Sequence, residues 1–202
     1  MRSALNIIRS EHRALAAVIH GLQFLVEQVR RGEPTPDLKV FRAMIHYIDE
    51  FPERLHHPKE DRYLFARIMQ RYPEGNSIIS GLEAQHVHGA QLIRELERSL
   101  LRWEEEGERG FPEFAHQVQE FADFHWKHMR EEEEVVLPLA ERVLLDEDWK
   151  AIDAAFEGNQ DPLIGKEAQH DFDQLFSHIV NIAPPPIGLG PAPSARGERD
   201  RK

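Results

Sequence analysis

His56 and Glu60 stand four residues apart in LHHPKEDRYLF, and His128 and Glu132 repeat that spacing in KHMREEEEVVL. On a helix, residues at i and i+4 share one face. The face carrying the first pair is otherwise apolar, with Phe41, Ile45, Ile48, Leu55 and Leu64. An imidazole and a carboxylate aimed into a core cost free energy unless they are satisfied. A metal ion satisfies both.

Two more histidines fall on apolar stripes. His12 occupies the seam slot between Ile8 and Leu15, and His86 lies on the stripe running through Leu82, Leu92 and Leu96. The chain therefore reads twice through the same order, one seam histidine on one helix and then a His-x-x-x-Glu pair on the next. Two helical hairpins of this kind bring both donor sets into one cavity. Carboxylates from the two halves can bridge two metals there, with imidazoles on either side. Imidazole and carboxylate without thiolate suit iron, manganese or zinc.

The helices that must carry these residues follow from periodicity and breakers. The first spans 3–30, with Leu5, Ile8, Leu15, Ile19, Leu22 and Val26 in three-four alternation. Gly32, Pro34 and Pro36 end it. The second spans about 37–71, and Pro52 and Pro58 inside it predict kinks. The third spans about 77–105, with Ile78, Ile79 and Leu82 on its stripe. The fourth spans about 113–144, with Phe121, Val135 and Leu139 in register with His128 and Glu132, and Leu64, Phe121 and Val135 assigned to the core. Short connections predict an all-α, up-down-up-down four-helix bundle. The expected organisation is a bundle over 1–145, a short helical extension packed on it over 146–182, and a disordered tail over 183–202. Trp149, Ile152 and Phe156 face the bundle from a helix at 146–157. A second short helix is expected at 167–181.

Composition bounds the function. The chain has 202 residues, 41% of them hydrophobic, with a net charge of -11. The acidic balance argues against nucleic acid and anionic membranes. With no cysteine, disulfides, thiolate zinc sites, cysteine-bound clusters and cysteine nucleophiles are excluded. No stretch approaches the ~18 apolar residues of a membrane span, and no signal peptide is evident. A cytoplasmic protein is expected.

SEHRAL around His12, LHHPKEDRYLF, LEAQHVHGAQL around His86 and HMREEEEVVLPLAE together resemble the hemerythrin-like (HHE cation-binding) domain over roughly 3–145. The resemblance implies a non-haem di-iron centre bridged by two carboxylates, able to bind dioxygen or nitric oxide. By that resemblance His12 and His56 bind one iron, His86 and His128 the other, and Glu60 and Glu132 bridge. Zinc or manganese are the other candidate metals. Oxygen-carrying members pair histidines four apart on the third helix. Here Leu82 and Ala90 flank His86 at that spacing, so one histidine is missing. His57, Glu83, His125 and Glu133 are candidate substitutes, and Glu133 is also the rival to Glu132 as bridge. The favoured function is binding or sensing of dioxygen, nitric oxide or related oxidants rather than catalysis. The alternatives are a di-iron enzyme acting on peroxide or in repair of iron-sulfur or nitrosative damage, and a structural iron or zinc bundle. Relatives that repair iron-sulfur clusters carry an additional cysteine-bearing region, and the lack of cysteine here weighs against that role. The expected partner is a small diatomic molecule at the metals, and a homodimer is left open.

Overall fold

Gly32 and Gly107, both at positive φ, mark two of the reversals that divide the chain into long helices. The computed structural model describes residues 2–157, so the expected helix at 167–181 and the tail at 183–202 lie outside the described residues. Helix α1 is Ser3–Arg30. Helix α2 covers 38–71 and is a composite. Its ends, Leu38–Ile48 and Ala66–Arg71, are α-helical, and its middle holds two π-helical stretches, Asp49–His56 and Glu60–Phe65, around the short step His57–Lys59. Asp37 caps its start by accepting from the Lys39 amide at 2.9 Å. Helix α3 is Asn76–Glu106. Helix α4 covers 111–143, as Phe111–Glu131, a π-helical stretch Glu132–Val136, and Leu137–Val143. Helix α5 is Asp146–Glu157.

Cross-helix pairs fix the directions. Arg2 reaches the Glu141 carbonyl, His12 meets Glu133, and Gln23 meets Gln119, so α1 and α4 are antiparallel. Asp61 meets His86 and Arg42 meets Glu104, which sets α2 against α3. Gln85 meets Glu131 and Arg102 meets Glu113, which sets α3 against α4. The result is the expected up-down-up-down bundle. Gly110 permits the tight α3–α4 reversal, since a side chain there would run into the backbone of Trp103.

The core is two apolar clusters with a polar layer between them. One holds Leu15, Phe41, Phe51, Leu92, Phe114 and Phe121. The other holds Ile8, Leu64, Phe65, Leu82 and Val136, and α5 adds Trp149, Ile152 and Phe156 to it. Each of the four long helices passes from one cluster to the other through a buried histidine or a histidine and glutamate.

The π turns shift the register. A π turn carries one residue more than an α turn, so positions beyond it rotate away from the face that uninterrupted α periodicity predicts. Val135, expected in the core, is 42% exposed, and Val136 is fully buried in its place. Ile78 also leaves its predicted stripe: it is 36% exposed, while the neighbouring Ile79 is fully buried. The proline kinks predicted within α2 take the form of π turns. Pro52 lies in the first π stretch and Pro58 in the step that follows, where missing amide donors are tolerated.

Helix α5 closes one end of the bundle. Asp148 accepts from the amide of Leu145, the residue before the helix, at 3.0 Å, which is one half of a capping box. The same carboxylate takes two hydrogen bonds from Arg71 of α2. Asp153 accepts from the amide of Ala4, one of the first-turn donors that α1 cannot satisfy itself. No described helix is long and apolar enough to cross a membrane.

Candidate metal centre

His12 from α1, His56 and Glu60 from α2, His86 from α3, and His128 and Glu132 from α4 all converge in the polar layer, and each is at most 6% exposed. The ring nitrogens and carboxylate oxygens lie close together. His12 Nε2 is 3.2 Å from His56 Nε2 and 3.1 Å from Glu132 Oε2. His56 Nε2 is 3.4 Å from Glu60 Oε2, which lies 3.7 Å from His86 Nε2. Glu132 Oε1 is 3.5 Å from His86 Nε2 and 3.4 Å from His128 Nε2. Two sets of donors within 4.8 Å of one another result, namely His12, His56, Glu60 and Glu132, and His57, His86 and His128.

The π turns help to place these groups. Glu60 opens the second π stretch of α2, and Glu132 opens the stretch in α4. At each point the helix widens where a carboxylate must reach across the layer, a common use of π turns at functional sites.

An outer ring of acceptors holds the imidazoles. His56 Nδ1 meets Glu11 Oε2 at 2.7 Å, His12 Nδ1 meets Glu133 Oε1 at 2.9 Å, His86 Nδ1 meets Asp61 Oδ1 at 2.7 Å, and His128 Nδ1 meets Gln85 Oε1 at 3.0 Å. Donation from Nδ1–H to these oxygens turns each Nε2 inward, where it can exchange a proton for a metal. That orientation is the one a metal-binding histidine needs. Gln85 is itself oriented, donating to Glu131 at 3.0 Å.

This ring has its own two-fold order. The residues preceding the seam histidines, Glu11 and Gln85, hold the paired histidine of their own hairpin. The residues following the paired glutamates, Asp61 and Glu133, hold the seam histidine of the other hairpin. Sequence reasoning missed Glu11, Asp61 and Gln85, although each adjoins a site residue and repeats with the motif. Glu133, the rival bridge, belongs to this ring; its side chain is 40% exposed, against 1% for Glu132.

Burial and mutual proximity govern protonation. Burial and the neighbouring Glu132 push Glu60 well above the usual carboxylate range. Burial also works against ionised Glu132, but His128, His12 and His86 outweigh it and hold that carboxyl well below its usual range. Burial acts against protonated His86 too, and is overcome by Asp61 and Glu132, which raise it to about 9. His12 is raised in the same way by Glu132 and Glu133 against its burial. Burial lowers His56 against the pull of Glu11, and takes His128 down to about 4. Burial and mutual proximity thus set the two carboxyl groups against one another, a tension that cations can relieve.

The donor set fits a metal on a second count. Both oxygens of Glu60, both oxygens of Glu132, and Nε2 of His86 and of His128 are buried without a hydrogen-bond partner among the described residues. Buried polar atoms are ordinarily paired, and these all converge on one point.

Of the other candidate donors, Glu83 joins neither set. His125 is fully buried but donates from Nδ1 to the Phe121 carbonyl at 3.0 Å, and belongs to neither set. His57 is buried, not solvent-facing, and does join one. His20, His46, His88 and His116 are exposed.

Residues 3–140 match the family model described as the hemerythrin HHE cation binding domain. No curated protein and no solved structure gives a match to the chain. With an all-helical bundle and a buried cluster of histidines and glutamates able to hold a metal cation, this chain belongs to the hemerythrin HHE cation-binding family.

Proposed function

We propose that the chain is a non-haem di-iron protein that binds or senses dioxygen, nitric oxide or related oxidants. The reading rests on the division of Glu132. One of its oxygens faces His12 at 3.1 Å, and the other faces His86 and His128 at 3.5 and 3.4 Å. A carboxylate split between two histidine sets is the arrangement by which one side chain serves two cations.

His12 and His56 would hold one ion, His86 and His128 the other, with Glu60 and Glu132 shared. Iron held there supplies redox change and affinity for small diatomic molecules. The protein's own part is to orient the imidazoles through Glu11, Glu133, Asp61 and Gln85, and to keep bulk water out with Leu64, Phe65, Phe51 and Val136. Nitrogen and oxygen donors without thiolate leave zinc and manganese as competitors, so selection of iron depends on supply and geometry.

Metal analysis of protein loaded anaerobically with ferrous iron tests this directly. The expected content is about two irons per chain, with a near-ultraviolet and visible spectrum that changes on adding dioxygen or nitric oxide. Uptake of zinc alone, or two irons with a spectrum indifferent to both gases, overturns the reading.

A further inference from the structure

We propose that His57 is a fifth protein nitrogen of the centre, binding the ion on the His86 and His128 side. The proposal rests on the di-metal reading above and adds a ligand to it.

The two halves are unequal without it. His12 and His56 gather with both carboxylates into one four-member set, whereas His86 and His128 gather with His57. The chain has no second α3 histidine at the i+4 position from His86, where Ala90 stands. His57 comes from α2 instead. Successive residues on a regular α-helix point about 100° apart, so His56 and His57 would not both be expected to enter one layer. Here the first π stretch ends at His56 and an α step begins at His57, and both rings are buried. The His57 ring is stacked on that of His86, 4.1 Å between centroids and 10° between planes, and edge-on to His128 at 5.3 Å. Stacked rings cannot both aim their in-plane lone pairs at one ion, so His57 must turn relative to His86 to bind with it.

The surroundings of His57 depart from those of the other four histidines in one respect. Each of those turns Nδ1 toward an acceptor outside the layer. His57 Nδ1 has no hydrogen-bond partner among the described residues, and Glu53 Oε2, one helical turn earlier, lies 3.7 Å away. Glu53 is buried beside Gly89 of α3, where a Cβ would stand 3.0 Å from Glu53 Oε1. The missing side chain at Gly89 is what lets a carboxylate sit behind His57. A small movement closes Nδ1–H onto Glu53 and leaves Nε2 for the metal, the pairing seen behind most metal-bound histidines. His125 provides the contrast. It lies 4.0 Å from the other Glu53 oxygen, but it donates to a backbone carbonyl and stands outside both sets.

The test loads metal-free protein with ferrous iron anaerobically and measures content and affinity for wild type, His57→Gln and His125→Gln, with the far-ultraviolet dichroism of each recorded before loading. The expected result is about two irons in wild type and in His125→Gln. In His57→Gln the content falls to about one, or the weaker site loses at least tenfold in affinity. In cobalt-loaded protein, the visible ligand-field bands of His57→Gln differ from wild type even at saturation, which a ring that only fills space would not cause. If His57→Gln cannot fold, Glu53→Gln serves in its place and weakens one of the two sites by at least threefold. Wild type holding about two irons while His57→Gln keeps both with unchanged affinities and bands overturns the proposal. Wild type holding none overturns the di-metal reading itself, so the two failures are distinct.

Discussion

Asp61 accepts from His86 Nδ1 across 2.7 Å, joining the second π stretch of α2 to the middle of α3. The carboxylate fixes which ring nitrogen carries the proton and so which one faces the layer. Asp61→Ala removes that control without touching an inward-facing donor. The expected effect is a loss of metal affinity of about 10- to 100-fold with little change in fold. Titration against a competing chelator checks it. An unchanged affinity would show that Asp61 serves only the helix contact.

Metal removal should destabilise the bundle, because the layer then leaves Nε2 of His128 and both oxygens of Glu132 without hydrogen-bond partners. With free metal a thousandfold above its Kd, binding contributes about 4 kcal/mol. For a chain of this length that raises Tm by roughly 10 °C. Calorimetry with and without a chelator measures the difference, and coincident transitions would contradict it.

The register set by the π turn in α4 separates two neighbouring valines. Val136→Ala deletes fully buried methyl groups and should cost about 2 kcal/mol. Val135→Ala acts on a side chain that is 42% exposed and should stay within about 0.5 kcal/mol. Urea unfolding of the two variants decides it, and equal costs would place both residues at the same depth.

Asp148 carries the pH prediction. The Arg71 guanidinium and the Leu145 amide hold its carboxyl below the ordinary aspartate value of 3.8, against a smaller effect of burial. A depressed folded-state value means the stabilisation is fully present above the unfolded value and is lost as pH falls through the folded one. Asp148→Ala also removes the cap on α5, which costs about 1 kcal/mol at neutral pH. Wild type should therefore exceed the variant in stability at pH 6, and the gap should narrow below pH 3.8. Denaturant unfolding across that range tests the sign, and a gap that widens in acid would refute it.

The sequence made the bundle legible because Leu5, Ile8, Leu15 and their counterparts keep a helical period, and Gly32, Pro34, Gly107 and Gly110 interrupt it where the chain turns. The convergence of His12, His56, Glu60, His86, His128 and Glu132 was legible for the same reason, since each is a polar residue in an apolar stripe. Val135 was misplaced because a period of 3.6 carries no sign of an extra residue within a turn. Pro52 and Pro58 flagged irregularity without giving its form. Glu11, Asp61 and Gln85 were hidden because charged and amide residues are ordinary on a solvated helix face. Only the distance across to another helix gives them a role. The depth of His57 was obscured by its position next to His56, where regular geometry sends consecutive side chains in different directions.

The π stretch at Glu132–Val136 also bears on how this chain tolerates changes in length. Losing one residue there would return the turn to ordinary α geometry and keep the flanking segments in phase. The same loss in the uninterrupted middle of α3 would rotate everything beyond it by about 100° and swing one wall of the layer out of place. Shortening by one residue is thus a conservative change beside Glu132 and a ruinous one beside His86.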